Sequence, residues 1–386
     1  MTRKKYFLHC PDLDRGGYPP DCPFNTHRAG LTRKKLVSIG ALTGSDIEER
    51  APVPAVRQEL ELFHTARYLN IIREAENGNL TVESLEAGLG TPDCPVFKGM
   101  YDFVALACGA SITGARLILA GEAFMAFNPS GGFHHAEPEK AGGFCYMNDV
   151  VLAAIILTQS HKRVAFIDLD VHHCDGVQKA FYDRNDVITI SLHENGKTLF
   201  PGTGWESETG HGAGEGYNVN IPLPVGTYDG AYKYAFQNAA FPLLKAYDPD
   251  VVILELGMDG LAGDPLAHLN LTNNVHADII SMIMSIGKPI LMTGGGGYNV
   301  PNTVRGWALA WRVLCGEEGG GELGLGMGGV MLETTEWTGG LRDRILISDA
   351  GTRMAIDREV KRVVGRIKAT LFPYHGLDPE LNSAKG

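Results

Sequence analysis

The sequence predicts an α/β fold: one domain built on a mostly parallel sheet with helices on both faces. Three observations carry this. Short, wholly apolar runs bounded by charge read as strands buried on both faces. Stretches with helical spacing separate them, as crossovers between parallel strands require. Each apolar run is followed by polar, Gly-rich sequence, and in open parallel sheets ligands bind outside the carboxyl ends of the strands.

Taken in order, residues 60–77 carry apolar side chains at helical spacing (Leu60, Phe63, Ala66, Ile71) and stop near Gly78. Residues 103–120 and 149–159 read as apolar helices. The run 163–170 reads as a buried strand, as do 186–192, 250–257 and 288–293. Helical stretches are expected around 229–246, 274–286 and 302–315. The Gly-rich segment 315–329 reads as a loop. Its Gly324-Leu-Gly-Met-Gly-Gly329 fits GxGxxG, but no apolar strand precedes it and no clear helix follows. No internal repeat or long linker is evident, so residues 1–372 are expected to form one domain, with 373–386 as a C-terminal tail.

Composition narrows the function. With 45 Asp and Glu against 34 Lys and Arg, the 386-residue chain has a formal charge of −11. That argues against direct nucleic-acid binding or an anionic membrane surface as its main task. No apolar run reaches the ~18 residues of a membrane span, and the basic start has no apolar stretch behind it to make a signal peptide. Seven cysteines, an odd number without a CxxC pair, read as reduced thiols in a cytoplasmic protein.

Four strand ends, after 170, 192, 257 and 293, point polar groups at one rim, and three of these with one further loop hold the chemistry. In Asp168-Leu-Asp170-Val-His172-His173-Cys-Asp175, alternation along a strand lets Asp168, Asp170 and His172 share a face. Three metal-competent groups at i, i+2 and i+4 make half a metal site; solvated carboxylates capping a strand end are the ordinary alternative. Gly131-Gly-Phe-His134-His135-Ala supplies paired imidazoles, and Asp168 and Asp175 suggest His–Asp dyads, in which a carboxylate orients the ring and raises its basicity. Asp259 follows a buried apolar strand in Gly257-Met-Asp259-Gly, while Asp264, before Pro265, reads as a turn residue or cap. Gly294-Gly-Gly-Gly-Tyr298-Asn lacks the GK[ST] of a phosphate-binding loop. It lets backbone pass close to something and presents Tyr298.

These blocks resemble the histone deacetylase family, specifically its class I and acetoin-utilisation-type members on the arginase-like fold. The resemblance runs from about His9 to about Cys315. It rests on seven ordered stretches: 93–97, 131–136, 143–149, 168–176, 200–204, 259–265 and 294–299. It implies a zinc-dependent amidohydrolase that removes acetyl or other acyl groups from lysine.

By position, the resemblance places the divalent ligands on Asp170, His172 and Asp259. Two carboxylates and a neutral imidazole balance a divalent cation, and the O/N set suits Zn²⁺ while accepting Fe²⁺ or Mn²⁺. It pairs His134 with Asp168 and His135 with Asp175. By analogy His135 is the general base and His134 its electrostatic partner; the residues alone do not decide between them. Tyr298 becomes the oxyanion donor. Gly143, Phe144 and Phe200 belong to the acyl-lysine tunnel, Asp93 to its rim and Leu266 to its mouth. Arg28 lies toward an internal exit, and Cys145 is a tunnel-side thiol without an activating pattern. The resemblance also implies structural K⁺ near Asp168, Asp170, His172, Ser191 and Leu192, with a second cation near Phe181, Arg184, Val187 and Tyr217.

Cys174, Met258 and Gly260 depart from the residues usual in the family. The expected substrate is an acetylated protein or peptide, since Leu266 stands where a polyamine deacetylase has an acidic gatekeeper. The alternatives are a deacetylase of polyamines or other small amines, a non-catalytic acyl-lysine reader, and an arginase-type ureohydrolase, which would need more Asp ligands for two metals. Oligomeric state is not legible in the sequence.

Overall fold

The computed structural model describes residues 4–316, 340–347 and 349–380. The Gly324 motif, most of 315–329, and residues 330–339 and 348 of the 330–351 segment lie outside the described residues.

Eight parallel strands form one sheet: β1 (Lys4–Leu8), β2 (Ile47–Arg50), β3 (Ala123–Asn128), β4 (Val164–Asp168), β5 (Val187–Glu194), β6 (Asn218–Leu223), β7 (Val251–Glu255) and β8 (Ile290–Thr293). Their spatial order is β2-β1-β3-β8-β7-β4-β5-β6. The central strands β4, β5, β7 and β8 are buried at every position, which is why their sequences are continuously apolar rather than alternating.

These four are the runs the sequence singles out, with β4, β7 and β8 shorter than expected and β5 running two residues further, to Glu194. Four further strands were not anticipated. β1 opens on two lysines, and β2 (Ile-Glu-Glu-Arg) is a polar edge. β6 contains Pro222, tolerated because β6 pairs only with β5.

The helices at Asp149–Gln159, Asn273–Met284 and Val300–Leu314 lie where helical spacing predicts them. The 60–77 helix is instead two, Arg57–Leu60 and Ala66–Glu76. Thr65 interrupts the run because its hydroxyl accepts the Tyr68 amide and starts a new helix. The stretch 229–246 is helical throughout, but Phe236–Ala240 widens to a π-turn just before Pro242, which has no amide to donate. The 20-residue helix Met100–Leu119 is long and apolar because it is a core helix, packed against the Asp149–Gln159 helix and β3.

A 22-residue helix, Ala350–Leu371, covers β6 with Ile356, Val360, Val363, Val364, Ile367 and Leu371. Beyond it, the Tyr374 hydroxyl donates to Glu215 at 2.7 Å and the His375 ring meets the Gly216 carbonyl at 2.8 Å. Tyr374 and His375 are thus docked onto the loop before β6.

Candidate active site

The last register of the sheet is polar across six strands. Asn128 on β3 pairs with Thr293 on β8, Thr293 with Glu255 on β7, and Glu255 with Asp168 on β4. Asp168 pairs with Ser191 on β5, and Ser191 with Asn220 on β6. Residues in register share a face, so the carboxyl ends present one buried polar row. The loops that leave these ends assemble the site.

The loop after β3 carries the histidines, and two residues fix it. Asp149 accepts the Phe133 amide at 2.8 Å and the Gly132 amide at 3.0 Å. Asn148 donates to the carbonyls of His134 and Ala136 at 3.2 and 3.0 Å. Both rings then meet carboxylates: His134 Nδ1 lies 2.8 Å from Asp168 Oδ2, and His135 Nδ1 lies 2.7 Å from Asp175 Oδ1. The Nε2 atoms face each other at 3.0 Å.

Burial opposes charge on both rings, with opposite outcomes. On His134 the Asp168 and Asp170 carboxylates outweigh it and hold the pKa up at about 9. On His135, burial and then the neighbouring His134 push it down to about 4. The two imidazoles divide into a charged ring and a neutral one.

The loop after β4 turns Asp170 and His172 toward Asp259, from the loop after β7. His172 Nδ1 sits 3.1 Å from Asp170 Oδ1 and 3.0 Å from Asp259 Oδ2. Each carboxylate is fixed from behind: Asp170 Oδ2 accepts the Gly296 amide at 2.6 Å, and Asp259 Oδ1 the Val171 amide at 3.0 Å. Position 296 needs its glycine, because a Cβ there would stand 1.8 Å from Asp259 Oδ2.

These three buried residues offer ligand atoms within 4.8 Å of one another. Two carboxylates in one dry pocket demand positive charge. Burial and then Asp170 push Asp259 up to about 7, while on His172 the two carboxylates outweigh burial and raise it to about 10. A divalent cation would take the place of those protons, and an O/O/N set with fixed outer hydrogen bonds fits one.

Tyr298 enters from the Gly-rich loop after β8. Its backbone amide donates to Asp264 Oδ2 at 2.7 Å, and Asp264 Oδ1 accepts the Leu266 amide at 2.9 Å. Asp264 therefore caps both the Tyr298 loop and the Leu266 loop. Arg28, buried, donates to the carbonyls of Gly297 and Gly295 at 2.7 and 3.0 Å and clamps the same loop from below. Burial and the Asp259 and Asp170 carboxylates push the Tyr298 hydroxyl well above its usual pKa, so it remains a donor.

The Tyr298 ring lies 5.6 Å from Phe144 and 6.4 Å from the His172 ring. Phe200 lies across, 5.0 Å from the His135 ring and 6.3 Å from His172, about half exposed. Gly143, at φ +52°, passes its backbone over His135, where a Cβ would sit 2.3 Å from the ring. Asp93 holds this turn: Oδ2 accepts the Gly143 amide at 3.1 Å and its carbonyl accepts the Phe144 amide at 2.9 Å. The Cys145 thiol is buried, pushed well above its usual pKa and turned to the Gly143 carbonyl, an environment for an inert thiol.

The histone deacetylase domain family matches residues 22–314 of this chain. The chain belongs to the histone deacetylase family. As such it is an enzyme, a hydrolase. It is 37% identical to histone deacetylase RPD3 of Saccharomyces cerevisiae over 81% of this chain and 72% of RPD3. It is 38% identical to the acetoin utilization protein AcuC of Bacillus subtilis, over 83% of this chain and 84% of AcuC. Among solved structures, a histone deacetylase homologue from Aquifex aeolicus superposes with a TM-score of 0.76 at 34% identity, covering 82% of this chain and 85% of its own. A homologue complexed with SAHA gives 0.80 at 30% identity, over 95% and 99%.

Against the sequence reading, the structure brings together His134, His135, Asp168, Asp175, Asp170, His172, Asp259 and Tyr298. It lines them with Gly143, Phe144 and Phe200, and sets Asp93 and Leu266 in the flanking loops. Asp168 and Ser191 are cross-strand partners, and the Ser191 hydroxyl is engaged with His193 Nδ1 at 2.8 Å. Leu192 is buried beside it. Around the second cation position, Arg184 pairs with Asp186 at 2.7 Å and lies over the Phe181 ring.

Two residues escaped the sequence reading. Tyr18, whose hydroxyl donates to the Phe144 carbonyl at 2.8 Å, gives no local signal. Glu255 does: a charged residue inside Val-Val-Ile-Leu-Glu is out of place in a buried strand.

Proposed function

We propose that this histone deacetylase family member removes acetyl groups from Nε-acetyl-lysine in proteins or peptides. The observation that carries the reading is the facing arrangement of two His–carboxylate dyads and the Asp170–His172–Asp259 cluster, with the Tyr298 hydroxyl held as a donor. Zn²⁺ is the expected ion on Asp170, His172 and Asp259, where a Lewis acid polarises an amide carbonyl and lowers the pKa of water.

The chain's own groups do the rest. His135, neutral and oriented through Nδ1 by Asp175, accepts a proton at Nε2 from the attacking water. His134, held positive by Asp168, stabilises the developing negative charge and stands within reach to protonate the departing amine. Tyr298 donates its hydroxyl to the oxyanion. Phe144 and Phe200 flank the lysine methylenes and exclude water. Half-buried Leu266, rather than an acidic side chain, favours a peptide-borne acetyl-lysine over a polyamine. A structural K⁺ at Asp168, Asp170, His172, Ser191 and Leu192, and a reducing cytoplasmic setting for seven free thiols, belong to the same reading.

The test is kcat/KM for the zinc-loaded enzyme on an Nε-acetyl-lysine peptide against an acetylated polyamine, with chelation and Tyr298→Phe as controls. Peptide preference, loss on chelation and a fall of ~10²–10³ in the Phe variant are expected. A polyamine preference overturns the substrate assignment, and no turnover of any acyl-lysine overturns the activity.

A further inference from the structure

Glu255 ends β7 in the polar row, between Asp168 and Thr293, and is fully buried. Its neighbours in the row are engaged: Asp168 with His134, Ser191 with His193, Asn128 with the Ser111 hydroxyl at 2.9 Å. Neither Glu255 oxygen has a hydrogen-bond partner, nor does the Thr293 hydroxyl. A buried carboxyl without a partner is among the costliest groups a fold can hold. Leu or Met would fill the same buried position without that cost.

The close polar neighbour is His134. Glu255 Oε1 lies 3.1 Å from His134 Nδ1, against 2.8 Å for Asp168 Oδ2. The ring N–H points along the Asp168 axis, which is why the Glu255 contact is close yet not a straight hydrogen bond. Two adjacent strands thus place two acceptors around one ring nitrogen.

We propose that Glu255 is a positioning residue of the active site. Its Oε1 is the second acceptor of a two-walled cradle that holds the His134 ring with Nδ1–H toward the two carboxylates and Nε2 toward His135. With Asp168 alone, a modest rotation of the ring would leave Nδ1–H without a partner. With Glu255 in place, the Nδ1–H that turns away from Asp168 toward β7 meets a second acceptor, and the ring orientation is over-determined. The role is one of acceptor geometry, so an amide oxygen at the same place serves as well.

The inference rests on the deacetylase reading only for its rate arm. Glu255→Leu and Glu255→Gln are compared in the zinc-loaded enzyme, by kcat and KM on an acetyl-lysine peptide and by ¹H–¹⁵N NMR of the histidine rings. Glu255→Leu is expected to lower kcat about 10- to 100-fold with KM nearly unchanged, and to displace the His134 Nδ1–H resonance. Glu255→Gln is expected to restore both. A Leu variant with wild-type kcat and an unmoved resonance overturns the proposal, as does a Gln variant that falls as far as Leu. Because the resonance is read without turnover, absence of deacetylase activity would sink the functional reading and leave the Glu255 question still decided by NMR.

Discussion

His134 and His135 meet Nε2 to Nε2 at 3.0 Å, each anchored through Nδ1 to its own carboxylate. Two ring nitrogens at that distance share one proton between them, so the resting pair holds one imidazolium facing one neutral ring. Adjacent residues in the sequence are thereby split into unlike roles by what lies behind them. Asp168 is wholly buried, whereas the Asp175 side chain is about a quarter exposed.

Removing the stronger anion should redistribute that charge. His134 sits at about 9 because Asp168 and Asp170 outweigh burial, and His135 at about 4 because burial and a positive His134 act together. Asp168→Asn deletes an attraction for His134 and a repulsion for His135. The pKa of His134 should fall and that of His135 should rise. Ring ¹⁵N titration of the metal-free protein reads both; two curves that stay where they were would refute this division of roles.

Asp264 joins two loops that the sequence presents as separate features. One carboxylate holds the Tyr298 amide at 2.7 Å and the Leu266 amide at 2.9 Å. Asp264→Ala frees both, and misplacing a catalytic donor by about 1 Å costs on the order of 100-fold. The expected result is a kcat lower by about 10- to 100-fold, with a smaller effect for Asp264→Asn, which keeps one acceptor. Steady-state kinetics on an acetyl-lysine peptide decide it, and wild-type kcat in the Ala variant would show that Tyr298 is held by other means.

The sequence made much of this legible, for physical reasons. The four central strands are buried on both faces, so their apolar runs stand out. Asp168, Asp170 and His172 cluster at the carboxyl end of β4, so their convergence can be read from their closeness in sequence, although only Asp168 lies on the strand and a loop turns the other two. What escaped depends on distance in the chain. β6 is an edge strand with polar alternation and a proline, and the Ala350–Leu371 helix shows charge everywhere except on the stripe that covers β6. Asp149 and Asn148 hold the histidine loop across 14 to 17 positions, which no local pattern announces. Glu255 was legible as an anomaly, and only the sheet register shows that it lies beside Asp168.

His64 should make the fold acid-sensitive. It is fully buried between the two short helices, and its Nε2 accepts the Asn148 amide at 2.9 Å, which requires the neutral ring. Burial pushes its pKa down to about 4 from 6.5. The lowered folded-state value means the unfolded chain takes up a proton the fold refuses. The penalty is absent above pH 6.5 and grows as pH falls toward 4, reaching about 3 kcal/mol. His64→Gln, whose amide oxygen can accept the same N–H, should flatten the pH dependence of stability over that window. Urea midpoints at pH 7.5, 6 and 5 test it, and parallel slopes for the variant and wild type would acquit His64.

Metal binding should be visible as stability before any substrate is added. Asp170 and Asp259 are buried side by side around a single imidazole nitrogen, so the folded chain brings two carboxylates into one dry pocket, where protons balance them until a cation takes their place. A divalent cation that binds the folded and not the unfolded state stabilises it by about 4 kcal/mol at a thousand times its Kd. Adding Zn²⁺ to chelated protein should therefore raise Tm, and chelation should lower it again. Asp259→Asn removes one ligand and also the buried carboxyl that burial and then Asp170 push up to about 7. The metal-free variant should then be at least as stable as metal-free wild type, yet gain little from Zn²⁺. That pair of signs separates a ligand from a residue that merely packs, because loss of packing would lower Tm with and without metal. A Zn²⁺ shift as large in the Asn variant as in wild type would place the ion elsewhere.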